Sequence, residues 1–85
     1  MIEDNVAKRN IAANLHRLLD DRGWSQSHLS RLTGDPLMTV SRAVRGENLP
    51  GVGVLARFAE ALDVSIDRLV GPPPRKFSEN RRKTA

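Results

Sequence analysis

The sequence predicts an all-α fold, a compact bundle of about five short helices, and three observations carry that expectation. Apolar residues recur at spacings of three and four through successive segments, and Gly23, Gly34 and Gly46 punctuate their ends. No stretch alternates apolar with polar residues as a half-buried strand would. The residues are 39% hydrophobic but only 4% aromatic, which is lean for a sheet-built core.

A first helix over about residues 5–21 places Ile11, Leu15, Leu18 and Leu19 on one face. Gly23 supplies its left-handed exit. A second helix starts at Ser25, whose hydroxyl can cap exposed amides. Trp24 just before the cap and Leu29 four positions inside suit a hydrophobic staple. Leu29 and Leu32 are expected to face inward until Gly34 ends the helix. Asp35-Pro36 opens a third helix over about 36–45, with the carboxylate as cap and proline at the first helical position, and Gly46 closes it. A fourth, about 52–62, carries Leu55, Phe58, Ala59 and Leu62 on one stripe, with Gly53 weakening its first turn. A short fifth begins from Ser65 and carries Ile66 and Leu69.

Residues 1–70 are therefore expected to form one domain. Gly71-Pro72-Pro73-Pro74 is a stop signal and a stiff, extended stretch. Beyond it, Arg75 to Ala85 is polar and charged apart from Phe77, and reads as a disordered basic tail. That tail either adds non-specific attraction to a polyanion or merely solubilises the chain.

Composition removes several function classes. A chain of 85 residues and 9.4 kDa has room for one small core. It contains no cysteine, so disulfides, thiolate zinc sites and cysteine nucleophiles are excluded. His16 and His28 fall on different predicted helices and cannot alone close a metal site. Asp20-Asp21 reads as a solvated helix end, and no glycine loop suited to phosphate appears. No catalytic constellation and no cofactor is expected. The segment Met1-Ile2-Glu3-Asp4-Asn5 does not resemble a secretory signal, and no apolar run is long enough to span a membrane. The expected location is cytoplasmic.

The formal charge of +4 is unevenly placed. Residues 1–21 set Lys8, Arg9 and Arg17 against Glu3, Asp4, Asp20 and Asp21, a net −1. Residues 22–45 set Arg22, Arg31, Arg42 and Arg45 against Asp35, a net +3. Residues 46–70 set Arg57 and Arg68 against Glu47, Glu60, Asp63 and Asp67, a net −2. A neutral body with one basic central segment suggests an oriented face for a polyanion; the plainer alternative is four arginines solvating helix surfaces.

The third helix sharpens that choice. At about 100° per residue, Leu37, Val40, Ala43 and Val44 form one stripe, and Met38, Ser41, Arg42 and Arg45 form the opposite one. The second stripe holds two guanidinium groups, a hydroxyl and a thioether, with no acid. Such a surface suits the DNA major groove, where arginine pairs bidentately with guanine. Two short helices joined by Thr33-Gly34-Asp35, the second presenting this stripe, make a helix-turn-helix over about 25–45.

The stretches Trp24-Ser25-Gln26, Leu29-Ser30-Arg31-Leu32-Thr33-Gly34, Thr39-Val40-Ser41-Arg42 and Arg45-Gly46 resemble the phage repressor and Cro-like helix-turn-helix family. This is the xenobiotic-response-element (XRE) family of bacterial regulators. The likeness continues through Asn48-Leu49-Pro50 and Leu55 to Ser65, and implies a lambda repressor-like DNA-binding fold. It further implies a sequence-specific, nucleoid-associated regulator that binds double-stranded DNA as a homodimer on a pseudo-palindromic operator. Leu37, Met38, Ser41 and Arg42 match base-reading positions. Gln26 matches a glutamine that binds a backbone phosphate, and Ser27, Thr39, Arg45 and Asn48 join it in the phosphate-contacting set. Ser30 stands where a small residue lets the motif helices approach. Family dimers use surfaces near the fourth and fifth helices, where Val64, Ile66, Leu69 and Val70 are either dimer contacts or ordinary core.

Departures from the family pattern are informative. Leu37 and Met38 replace residues that are often polar, leaving contact with thymine methyl groups. Leu37 either makes such contact or packs on the body. Glu47 lies where a neutral or positive residue would better tolerate a phosphate. Many relatives pair an arginine at the position of Leu19 with a glutamate at that of Val44; both are apolar here, so direct packing between them is expected. The competing reading is a protein-interaction module, an antitoxin component or a coactivator, in which DNA binding is secondary.

Overall fold

The structure, a computed structural model, describes residues 3–74. Five helices follow one another: α1 (Asp4–Arg22), α2 (Gln26–Thr33), α3 (Leu37–Val44), α4 (Val52–Leu62) and α5 (Ile66–Val70). Among the described residues there is no strand. The all-α five-helix bundle is the one the apolar spacing predicts. The basic tail from Arg75 lies outside the described residues.

Helix α1 packs against α3 and α5, α2 against α3 and α4, and α4 against α5. The core between them is one cluster in which Ile11, Leu15, Leu29, Val40, Phe58, Leu62 and Leu69 are fully buried. Leu19 and Val44 both belong to it. Helix α3 is thus anchored to the body here by hydrocarbon. Both serine caps form: Ser25 Oγ accepts from the His28 amide and Ser65 Oγ from the Arg68 amide, each at 3.0 Å. Trp24 packs against the core next to the first of these caps and meets the His28 ring edge-on at 4.8 Å.

Among the described residues four turns carry a left-handed residue, Gly23, Gly34, Gly46 and Asp63. Gly46 ends α3 at φ 73°, and its Cα faces α1 so closely that a Cβ would touch Ala12 and the Lys8 carbonyl at 3.5 and 3.7 Å. Helix α4 ends on Asp63 at φ 58°, a conformation disfavoured for a residue with a Cβ.

Buried polar groups close the bundle. Asn14, fully buried on α1, donates to the carbonyls of Leu69 (2.7 Å) and Gly71 (2.8 Å) and accepts from Arg68 at 2.9 Å. Asn10 donates to the Val70 carbonyl at 2.9 Å. Arg22 does the same for α4, donating to the Leu62 carbonyl at 2.6 Å. Helix ends leave carbonyls without intrahelical partners, and here side chains of α1 supply the donors.

Two local expectations are corrected. Leu32 is 51% exposed rather than inward. It lies about 60° round α2 from Leu29 and lines an open cavity with Thr33, Arg57 and Ala61 instead of entering the core. Asp35 does not cap α3, whose N-cap is Pro36 with no side-chain cap bond. Its carboxylate is instead drawn to Arg57 on α4, at 2.7 Å.

Candidate nucleic-acid interface

The α2–α3 connection is held by its own side chains. The Gly34 amide donates to the Ser30 carbonyl at 2.9 Å, and Ser30 Oγ donates across the turn to the Asp35 carbonyl at 2.6 Å. Thr33 Oγ1 donates to the Leu29 carbonyl at 3.0 Å and accepts from the Asp35 amide at 3.2 Å. Asp35 then receives both Nε and a terminal nitrogen of Arg57, a fork that ties the entry of α3 to α4. Hydrogen bonding to Arg57 holds the Asp35 carboxyl below its ordinary value, overriding the opposing effect of burial.

Helix α3 itself divides as its sequence angle predicts except at Leu37, which the angle placed in the inward stripe and which is exposed. Val40, Ala43 and Val44 are buried in the core. Leu37 and Met38 are 46% and 56% exposed, and Arg42 and Arg45 are exposed. Leu37 therefore takes the outward of its two readings. Ser41 is half-buried because its hydroxyl donates to Gln26 Oε1 on α2 at 2.6 Å. That bond occupies the amide oxygen of Gln26 and leaves its nitrogen as the free donor end, the polarity an anion requires.

The outward ridge is not free of carboxylate, as the helix alone had suggested. Glu47, in the loop after α3, accepts from Arg45 Nε at 2.8 Å and from a terminal nitrogen at 3.3 Å. Each partner is about half exposed, at 52% and 51%. Hydrogen bonding in this pair raises the Arg45 pKa and lowers that of Glu47. Arg42 enters no such pair among the described residues.

Of the remaining expected contacts, Ser27 and Asn48 are exposed and Gln26 and Thr39 half-buried. Thr39, Arg42 and Asn48 line one open cavity of about 470 Å³, together with Glu47 and, from α1, Lys8. The residues named for dimerisation lie elsewhere, from the end of α4 into α5. Ile66 is 38% exposed, Val64 and Val70 are half-buried, and Leu69 is fully buried and so is core.

Sequence reasoning passed over the Gln26–Ser41 bond and the Asp35–Arg57 fork. Neither leaves a local spacing signal, since partners 15 and 22 residues apart meet only once the helices pack. The acid in the net +3 segment, alone among four arginines, was the available hint for the fork. No helix among the described residues is long and apolar enough to cross a membrane.

A rigid turn, a helix with one buried and one basic exposed stripe, and a polar side chain bridging the two helices together define a helix-turn-helix DNA-binding module. The model of the Cro/C1-type HTH DNA-binding domain matches residues 14–74. The chain belongs to that family of DNA-binding domains. It is 33% identical over 70 residues to the HTH-type transcriptional regulator SutR of Escherichia coli (strain K12), covering 82% of this chain but 39% of that relative. Among solved structures it is similar to the hypothetical transcription factor NHTF from Neisseria, with TM-score 0.76 and 25% identity over 100% of this chain and 92% of that one. A second likeness is to an HTH_3 family transcriptional regulator from Vibrio cholerae, with TM-score 0.73 and 26% identity over 95% and 42% of the two chains.

Proposed function

We propose that the chain binds double-stranded DNA sequence-specifically as a transcriptional regulator, with α3 in the major groove and two copies on a pseudo-palindromic operator. The observation that carries this reading is the outward face of α3, where exposed Leu37, Met38 and Arg42 stand beside Ser41 while Val40, Ala43 and Val44 lock the helix to the body. In it, Arg42 pairs with a guanine edge and Ser41 sits at a base edge. Leu37 and Met38 offer hydrocarbon to thymine methyls. Gln26, Ser27, Thr39, Arg45 and Asn48 hold the phosphates that fix the register.

The Ser41–Gln26 bond links the two tasks, because the group that orients the phosphate donor also lies on the reading face. Arg45 must exchange Glu47 for a phosphate, or reach it with Glu47 still attached. Val64, Ile66 and Val70 are the available dimer contacts near α5, and the location is the cytoplasm and nucleoid.

The test is duplex binding by the full chain at two salt concentrations, from a random-sequence library. Each phosphate that a cationic side chain of the dimer neutralises contributes about −0.9 to the log–log salt slope, so binding should weaken steadily as salt rises. Footprints should show half-sites about 34 Å apart. Binding without sequence enrichment or with a flat salt response would overturn the reading and favour a module that contacts protein.

A further inference from the structure

We propose that Lys8, on α1 and outside the helix-turn-helix, is a DNA-backbone contact whose ammonium binds a phosphodiester at the mouth of the cavity it shares with Arg42. The inference rests on the proposed DNA reading and extends the interface to a third helix.

Three observations place the charge there. Lys8 is half-buried and lines the cavity of about 470 Å³ whose other walls include Thr39, Arg42 and Asn48, all members of the proposed contact set. The exit of α3 is docked against this part of α1, since the Gly46 Cα faces Ala12 and the Lys8 carbonyl. The lysine therefore travels with the recognition helix as one rigid unit. Among the described residues, no carboxylate forms an ion pair with Lys8. Glu47 lines the same cavity, but its two oxygens are engaged by Arg45.

The ammonium of Lys8, the guanidinium of Arg42, which also feels the Glu47 charge, and the polar ends of Thr39 and Asn48 thus converge on one concave opening. A phosphodiester fits that chemistry. It carries one negative charge and accepts from several directions, and a lysine ammonium meets it as a compact point charge with three donors. Arg9, the next residue, is exposed and not among those lining the cavity, so it serves as an internal control for bulk charge.

The experiment uses a duplex selected by the wild-type full chain from a random library. Its affinity is measured by fluorescence anisotropy against salt for wild type, Lys8→Gln, Lys8→Arg and Arg9→Gln, with folding checked by circular dichroism. Lys8→Gln removes one cation from each of the two bound copies and should flatten the log–log slope by about 1.8, so that its deficit shrinks about twelvefold between 50 and 200 mM salt. Base preference should not change. Lys8→Arg should restore the slope, and Arg9→Gln should leave it at the wild-type value. A methylphosphonate scan that neutralises symmetry-related phosphates of the two half-sites together should find a position at which wild type and Lys8→Gln become equal.

An unchanged slope for Lys8→Gln, an equal loss for Arg9→Gln, or no such position in the scan would overturn the Lys8 assignment while the α3 reading stands. Failure of the wild-type chain to select any duplex would overturn both.

Discussion

Replacing Asn14 by alanine removes the tie between α1 and the end of α5, and its cost follows from the bonds it breaks. The Leu69 carbonyl bond is buried, and an acceptor left unpaired there costs about 1–3 kcal/mol. The Gly71 carbonyl is only part-buried and can turn to water, so its loss is nearer the net worth of one hydrogen bond, about 0.5–1.5 kcal/mol. Arg68 is half-exposed and rehydrates. The sum is about 2–4 kcal/mol, a large share of the roughly 4–10 kcal/mol expected for a body of this size. In a thermal melt followed by circular dichroism, Tm should fall by roughly 10–25 °C, with the urea midpoint falling in parallel. Asn14 lies against α5 and away from α3, so DNA preference measured well below the new midpoint should match wild type. A loss under about 1 kcal/mol would refute the reasoning, because it would mean that these carbonyls find other donors.

Other perturbations test separate joints of the account. Val44→Glu buries a lone carboxylate in the core and should cost about 3–5 kcal/mol, most of it recovered by adding Leu19→Arg, as a double-mutant cycle in urea would measure. Asp35→Asn should lower the urea midpoint at neutral pH. Because the Asp35 pKa is depressed below its ordinary 3.8, the stability it contributes is present above that value and is lost as pH falls through the lower folded value. The mutant and wild-type midpoints should therefore converge in acid, and a difference that persisted there would contradict the Arg57 fork. Glu47→Gln should free Arg45 in both copies and tighten duplex binding, steepening the salt slope by up to about 1.8, with no change in the preferred sequence.

Much of the fold was legible because each helix announces itself locally. Ser25 and Ser65 cap the amides their positions predict, and the Val40, Ala43, Val44 stripe is buried as the helical angle requires. Leu32 misled because an apolar residue at helical spacing reports a direction, not whether another helix lies there. Asp35-Pro36 misled because a carboxylate before a proline is a common cap, yet a guanidinium 22 residues away competed for it and won. Of the site, the exposed ridge could be read from α3 alone. The Glu47 carboxylate beside Arg45, the Ser41–Gln26 bond and the approach of Lys8 depend on how the loop and α1 fold back. Those are tertiary facts with no periodic signature.

The central claim is that Arg42 reads a base while Gln26 holds the backbone. Its most direct test measures wild type, Arg42→Ala and Gln26→Ala against every single-base-pair variant of one selected duplex. Arg42→Ala should lose about 1–3 kcal/mol and its discrimination at one base pair of each half-site, while Gln26→Ala should weaken all variants alike. If both substitutions depress every duplex equally, the α3 ridge does not read sequence and the account fails.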